Sequence, residues 1–329
     1  MDILHKVYDS YPCGGEIPSV RLFFWASVAL CWLLTFIPLG GGRRRNYAIV
    51  DRVWPLFPLL LVAQWVYHHG YAELNAKAMV ASTLVAVWSL RLTYNSYRRG
   101  DYAIGAEDYR WAHVRQSFDR LLGTHGVIRT VAWEVFNLAF ISIFQLGLLY
   151  QISVPLRQMI TTGNEEEEAW SFGQIMLLAF MALLLAMEAI ADRQQYELQR
   201  LKRPGVLDAE PNKEYAASRR AEVEAGFVYS GLWRYSRHPN AFCEQAFWTT
   251  MVLFTTDCTW MPAAHMLLAG PIWLIALMWA SVGLTESITL SKYPLYRAYQ
   301  MKTSRLVPCL PLSNAQVVGS AHKRQKKSE

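Results

Sequence analysis

Charge is scarce in this chain. Of 329 residues only 18% are Asp, Glu, Lys or Arg, against about 25% in soluble domains; this excludes a disordered chain and points to lipid as the solvent. The signatures of several soluble enzyme classes are missing as well. Gly40-Gly41-Gly42 leads into Arg43 instead of joining a strand to a helix, so no Rossmann dinucleotide site is expected, and there is no serine-nucleophile motif, no H-E-x-x-H and no P-loop. Five cysteines (Cys13, Cys31, Cys243, Cys258, Cys309) form no C-x-x-C pair and no zinc spacing, and their number is odd. That excludes a disulfide framework and a structural metal. The first twenty residues lack a basic n-region and carry Asp2, Asp9 and Glu16, so the apolar run after them reads as an uncleaved anchor and not as a cleaved signal.

What the chain has in quantity is apolar length: 53% hydrophobic residues and thirteen tryptophans. Runs at Leu22–Leu39, Val53–Tyr67, Ala78–Tyr94, Val131–Pro155, Trp170–Ala191, Ala241–Trp260 and Ala264–Leu284 each approach the ~20 residues that a bilayer requires. The expected fold is an all-α polytopic membrane protein of about seven transmembrane helices. Met261, Pro262 and Ala263 alone separate the last two runs, which predicts a tight helical hairpin. Basic residues set the orientation, because they accumulate in cytoplasmic loops. In a seven-span arrangement 27 of the 32 Lys and Arg fall on one side, while the acidic run Glu165–Glu168 falls on the other. The amino terminus is therefore expected in the lumen and the carboxyl terminus in the cytosol. Residues 1–21 form a luminal segment, 22–311 a single membrane domain and 312–329 a basic tail. That tail ends Lys326-Lys327-Ser328-Glu329, which resembles the dilysine retrieval signal of the endoplasmic reticulum membrane.

Polar residues concentrate at the cytosolic ends of the later spans. The segments MEAIADRQQYELQRLKRPG, GLWRYSRHPNAFCEQAFW and TESITLSKYPLYRAYQ bring Asp192, Gln195, Lys202, Arg203, Tyr235, Arg237, His238, Asn240, Glu244, Glu286, Tyr293 and Tyr296 to that surface. Pro239 opens the sixth span, so Arg237 and His238 stand at a helix amino terminus, where unused amides and a partial positive charge attract anions. Asn240 and Glu244, four apart, share one face. A carboxylate in an apolar helix is costly and faces a polar cavity or a partner; a pairing of Arg237 with Glu244 that merely pins the loop is the structural alternative. Asp192 and Gln195 suit a ribose, an adenine edge or an amide. At the end of the third span, Arg91, Tyr94, Asn95 and Arg98 lie on neighbouring faces, followed by Glu107–Arg110; interfacial anchoring explains such residues equally well. Within the spans Gln64, Glu134, Asn137 and Gln145 are polar exceptions, and His68 and His69 read as an end cap.

RYSRHPN followed by Glu244, with TESITLSKYPLYRAYQ, RLTYN, EDYRW and ADRQQ, resembles the steroid 5α-reductase superfamily in its less characterised branch, over roughly Val50 to Pro311. The resemblance implies a seven-helix reductase with NADPH held on the cytosolic side by the last three helices. The acidic residue of the fifth-helix motif falls on Asp192, the cation before Pro-Gly on Lys202 or Arg203, the RHPN amide and carboxylate on Asn240 and Glu244, and the tail aromatics on Tyr293 and Tyr296. Steroid reductases grip the enone carbonyl with a Glu and a Tyr; here Tyr94 stands in the third span but the second offers Gln64, which puts steroid specificity in question.

The expected activity is NADPH-dependent reduction of a conjugated carbon–carbon double bond in a lipid-soluble substrate drawn from the bilayer. Tyr94, with Arg91 or Gln64, would stabilise the enolate oxygen. Two other classes fit parts of the pattern: an S-adenosylmethionine-dependent methyltransferase of the isoprenylcysteine type, which has a similar RHP segment, and a non-catalytic sterol-binding protein. Nucleic acid is not an expected partner, because the basic residues lie between apolar spans.

Overall fold

The computed structural model describes residues 17–37, 45–124, 126–161, 169–256 and 264–310. Residues 1–16 of the segment expected to be luminal, the acidic run, the expected hairpin turn at Met261–Ala263 and the basic tail with its two lysines lie outside the described residues. Among those described, every element is helical and none is a strand. Each of the seven apolar runs contains a helix, and three helices are long and apolar enough to cross a membrane: Val127–Thr161, Phe172–Leu201 and Met266–Lys292.

The chain forms two compact units, one of residues 1–181 and 248–274, the other of residues 182–247 and 275–329. In the first, α1 (Pro18–Leu34) starts with Pro18, whose missing amide donor is not needed there. A short α2 (Ile49–Val53) precedes α3 (Phe57–His69). At 13 residues α3 is about 20 Å long, less than the ~30 Å of a bilayer core. Helix α4 (Ala76–Arg99) is capped by the Asn75 side chain, which accepts from Ala78 N, and ends at left-handed Gly100. The amphipathic α5 (Tyr109–Leu122) then leads to α6 (Val127–Phe136), a π-helix (Asn137–Phe144) and α7 (Gln145–Thr161).

These last three are one continuous 35-residue helix. The fourth run was expected to end at Pro155, but Pro155 lies inside α7. Along the wide-turned segment Phe136, Phe140 and Phe144 stack at centroid distances of 5.0 and 5.3 Å, contacts that favour this winding. Asn137, fully buried, donates to Thr35 Oγ1 at 2.9 Å. The core of the unit is aromatic: Phe57, Trp65, Trp88 and Tyr150 are almost wholly buried, with Trp65 edge-on to Tyr150 and Trp88 edge-on to Trp248. Gly270 allows a close backbone approach, since a Cβ there would stand 2.8 Å from the Gln151 carbonyl carbon. Gln151 Nε2 donates to Met266 O beside it.

The second unit holds the later part of α8 (Phe172–Leu201), α9 (Val206–Ala209), α10 (Lys213–Ala225), a 3-10 turn at Gly231–Arg234, the first half of α11 (Pro239–Thr255), the later half of α12 (Ala264–Lys292) and α13 (Tyr296–Gln300). Helix α8 carries Asp192 to Leu201 as an extension of its apolar stretch and, as the sequence predicts, Pro239 opens α11. Phe227 packs with Tyr296 and Tyr299 in one small core of the unit, and Leu198 with Val228 and Trp233 in another.

Candidate functional site

The second unit brings several of the sequence-predicted residues together. The turn Gly231–Arg234 docks on α8: Trp233 Nε1 donates to Ala191 O at 3.2 Å, and Leu232 N donates to Gln194 Oε1 at 3.1 Å. Gly231, at φ +60, lies where a Cβ would stand 2.3 Å from the Gln194 amide, so a larger residue would have to displace the side chain that holds Leu232 N. This docking brings the head of α11 to α8, and Asn240 Nδ2 donates to Asp192 Oδ1 at 3.3 Å. Glu188 lies one turn before Asp192 and Glu244 one turn after Asn240; Asp192, Glu188 and Glu244 are all buried. The α8–α11 junction is thus rich in acceptor oxygens on regular helices.

Arg237 takes a different place from the one expected of an anion-binding residue. Its Nε donates to Glu286 Oε1 at 2.6 Å and its Nη2 to Glu286 Oε2 at 3.1 Å. Nη1 donates to the carbonyls of Gln300, at 2.9 Å, and Thr303. The partner is therefore Glu286 and not Glu244, and all three guanidinium nitrogens are engaged inside the chain. Glu286 also receives His238 Nε2 at 3.2 Å, Gln300 Nε2 at 3.1 Å and Tyr296 Oη at 3.4 Å, with Arg305 Nε at 3.7 Å. Burial holds the His238 imidazole below its ordinary pKa, against the pull of Glu286, which its Nε2 faces at 3.2 Å. Burial and the same carboxylate raise the Tyr296 phenol, while burial and Tyr296 raise Tyr299; neither ionises near neutrality.

The tail is tied to the same loop. Arg237 N donates to Ser304 O at 2.9 Å, Cys309 N to Tyr235 O at 3.0 Å, Ser236 Oγ to Leu306 O at 2.6 Å, and Tyr299 Oη to Trp233 O. Lys202 and Tyr293 form a third group: Nζ donates to Tyr293 Oη at 2.9 Å and to Gly226 O at 2.8 Å. Glu222, buried, accepts from Tyr229 N and Ser230 N and pairs with Arg219. Arg203 is exposed, Gln195 partly buried, and Tyr235 40% exposed. Sequence reasoning passed over Gln194, Glu222 and Tyr299, and set Glu286 among the surface charges; a carboxylate only two residues beyond the apolar run Ala264–Leu284, on the same helix, was the available signal for Glu286.

In the first unit the residues expected to meet the substrate carbonyl differ in exposure. Helix α4 buries Val85, Trp88, Ser89 and Asn95, whereas Tyr94 is 62% exposed with Leu90 and Tyr97. Its ring instead lies under Arg98, whose guanidinium donates to Asn95 Oδ1. Arg91 and Gln64 are partly buried, and Gln64 Nε2 lies 3.5 Å from Leu60 O. The Glu107–Arg110 cluster serves as a brace. Tyr47 N donates to Glu107 Oε1, Arg115 pairs with Glu107, Arg52 donates to the carbonyls of Asp101, Ala103 and Ala106, and Trp111 Nε1 donates to Asp51 Oδ2 at 2.9 Å. Burial drives the Asp51 carboxyl up to about 6 despite Arg110 nearby. Burial also opposes ionised Asp108, but the chelating Arg110 prevails and holds it below the usual range. His68, in the last turn of α3, meets Ser19 Oγ at 2.7 Å. Among the described residues no group of His, Cys, Asp and Glu side chains could hold a metal ion.

Comparison with known proteins matches residues 40–303 to the family described as a protein of unknown function, DUF1295. An uncharacterized protein of Schizosaccharomyces pombe is 34% identical over 282 residues, covering 83% of this chain and 76% of the relative. No solved structure matches.

Proposed function

The chain belongs to the DUF1295 family, and for it we propose a membrane-embedded, NADPH-dependent reductase of a conjugated carbon–carbon double bond in a lipid-soluble substrate. The reading includes seven spans, a luminal amino terminus, a cytosolic carboxyl terminus and residence in the endoplasmic reticulum membrane. Its support is the α8–α11 junction, where Asp192 and Asn240 meet at 3.3 Å and Glu188 and Glu244 are buried one turn away on either helix. Carboxylates are expensive in helices of this kind and are kept for a polar partner or ligand. The likeness of RYSRHPN, ADRQQ and the tail motif to the steroid 5α-reductase superfamily supports the same assignment.

The acceptor half of such a site suits the hydroxyls and amide of a dinucleotide, with Asp192 and Gln195 as acceptors and Asn240 able to donate or accept. The phosphate half differs from the sequence expectation. Arg237 is committed to Glu286, and Lys202 to Tyr293 and Gly226 O, which leaves the exposed Arg203 and Arg193 as the cations of α8 and its end for that role. The cofactor would supply hydride, and the protein supplies position and electrostatics. Tyr94, with Arg91 or Gln64, is the proposed donor to the enolate oxygen.

The test uses the full chain in detergent micelles. NADPH should quench tryptophan fluorescence, and Asp192→Asn should weaken binding about tenfold, the value of one charge-assisted hydrogen bond at ~1.4 kcal/mol. NADPH should then be oxidised with one member of a panel of enone and enoyl lipids. Binding of S-adenosylmethionine with none of NADPH would overturn the reading.

A further inference from the structure

We propose that Glu286 is the positioning residue of the α11 head: it acts through Arg237 and His238 to fix the rotation and height at which Asn240 and Glu244 face α8. The proposal deepens the site above and rests, for its ligand-binding part, on the reading that the α8–α11 junction holds a dinucleotide.

The geometry has three parts. Arg237 and His238 are the two residues immediately before Pro239, the first residue of α11, and proline fixes φ at that join. A displacement of either residue is therefore carried into the first turn as a rotation of the helix and is not absorbed by a flexible linker. Next, Glu286 holds both residues from a different element. Both of its oxygens accept from Arg237, and Oε1 also accepts from His238. Its backbone belongs to α12, a 29-residue helix and thus a rigid support. Third, Glu286 and Arg237 close the tail over the loop, because Gln300 Nε2 donates to Glu286 while Gln300 O accepts from Arg237. The pair is buried, with side chains 7% and 9% exposed.

A single carboxylate thus sets the join, the support and the cover. The Asn240–Asp192 contact, at 3.3 Å already at the long end of hydrogen bonding, is the element most sensitive to a small rotation. By the same account Arg237 is a relay and does not touch the ligand.

The experiment compares Glu286→Gln, Glu286→Ala, Arg237→Ala and the double variant Glu286→Ala/Arg237→Ala with the wild-type full chain in micelles, by two readouts. The first, without nucleotide, is amide hydrogen exchange of residues 239–244 and 300–309. Glu286→Gln, which keeps shape but loses charge, should speed exchange in both segments by tenfold or more while α8 stays protected. The second is the ratio of NADPH to NADH affinity. All variants should weaken both nucleotides by a common factor of about ten or more, leaving the ratio unchanged, and the double variant should be no worse than the worse single one. Unchanged exchange in Glu286→Gln overturns the proposal. So does a collapse of the affinity ratio in Arg237→Ala alone, which would make Arg237 a direct phosphate ligand, and so do additive losses in the double variant. If wild-type protein binds neither nucleotide, the reductase reading fails, and the exchange result alone upholds or overturns the positioning role.

Discussion

Gly226 offers a sharp test of the packing in the second unit. It ends α10 at φ +87, and a Cβ built on it would lie 2.1 Å from Cε1, 2.4 Å from Cδ1 and 2.6 Å from Cζ of Tyr293. Gly205, before α9, has a similar φ of +76 but nothing within 4 Å of its Cβ position. Alanine at either site meets the left-handed penalty of about 1–2 kcal/mol. At Gly226 it must also push the Tyr293 ring aside, an over-packing cost of about 1–3 kcal/mol, and break the 2.9 Å bond from Lys202 Nζ to Tyr293 Oη, about 1 kcal/mol more. Gly226→Ala should therefore cost about 3–6 kcal/mol and Gly205→Ala about 1–2 kcal/mol. Unfolding in SDS-containing mixed micelles, followed by tryptophan fluorescence, measures both. The decisive variant is Gly226→Ala in a Tyr293→Ala background: with no ring to strike, its added cost should fall to that of Gly205→Ala. Equal costs at the two glycines, or an undiminished cost in the Tyr293→Ala background, would refute the steric argument.

Two further outcomes are expected in the first unit. Gly270→Leu should destabilise the unit by more than 2 kcal/mol, because its Cβ meets the Gln151–Ile152 backbone at 2.8 Å and backbone cannot rotate away; a loss under 1 kcal/mol in the same SDS titration would contradict so close an approach. Asp51→Asn should raise stability above pH 6. Burial lifts the folded-state pKa from 3.8 to about 6, so the contribution of the protonated group is complete below the unfolded value and is lost as pH rises through 6. Two units correspond to about 3 kcal/mol at most, and residual solvent contact reduces this to about 1–2 kcal/mol. The asparagine carbonyl still accepts from Trp111. Unfolding midpoints of the two proteins should coincide at pH 4 and separate by pH 7; a gap that is constant with pH would exclude titration of Asp51 as its cause.

Much of the helical plan was legible because apolar length and proline placement are local signals. Pro18, Pro58 and Pro239 sit in first turns, and each expected span contains a helix. The extent of the helix 127–161 was not legible: Pro155 reads as a stop, yet the helix runs on to Thr161, and nothing in the pattern announces a π-helix at Asn137–Phe144. The exposure of Tyr94 was within reach. Ala81, Val85, Trp88 and Asn95 follow helical spacing and form the buried face of α4, while Val87, Leu90, Tyr94 and Tyr97 follow it on the other side. The partner of Arg237 was beyond sequence reasoning, because Glu244 is seven residues away and Glu286 forty-nine, and the choice depends on how the tail 296–309 folds back on the loop.

That choice changes the chemistry of the candidate site more than any other single contact. With Arg237 turned to Glu286, with Arg305 beside the same carboxylate and with Lys202 holding Tyr293, the cations that made the surface look like an anion trap are largely neutralised by the chain's own groups. The α8–α11 junction then places the buried carboxyl groups of Glu188 and Glu244 within one helical turn of the Asp192–Asn240 contact. They are a good seat for hydroxyl and amide donors. On the reading proposed above, a phosphorylated ligand would turn its hydrogen-bond donors toward the junction and its phosphates toward exposed arginines such as Arg193 and Arg203, where screening by salt is strong. Specificity would then come from the buried acceptors and affinity from the surface, the opposite of the division that the RHPN motif alone implies.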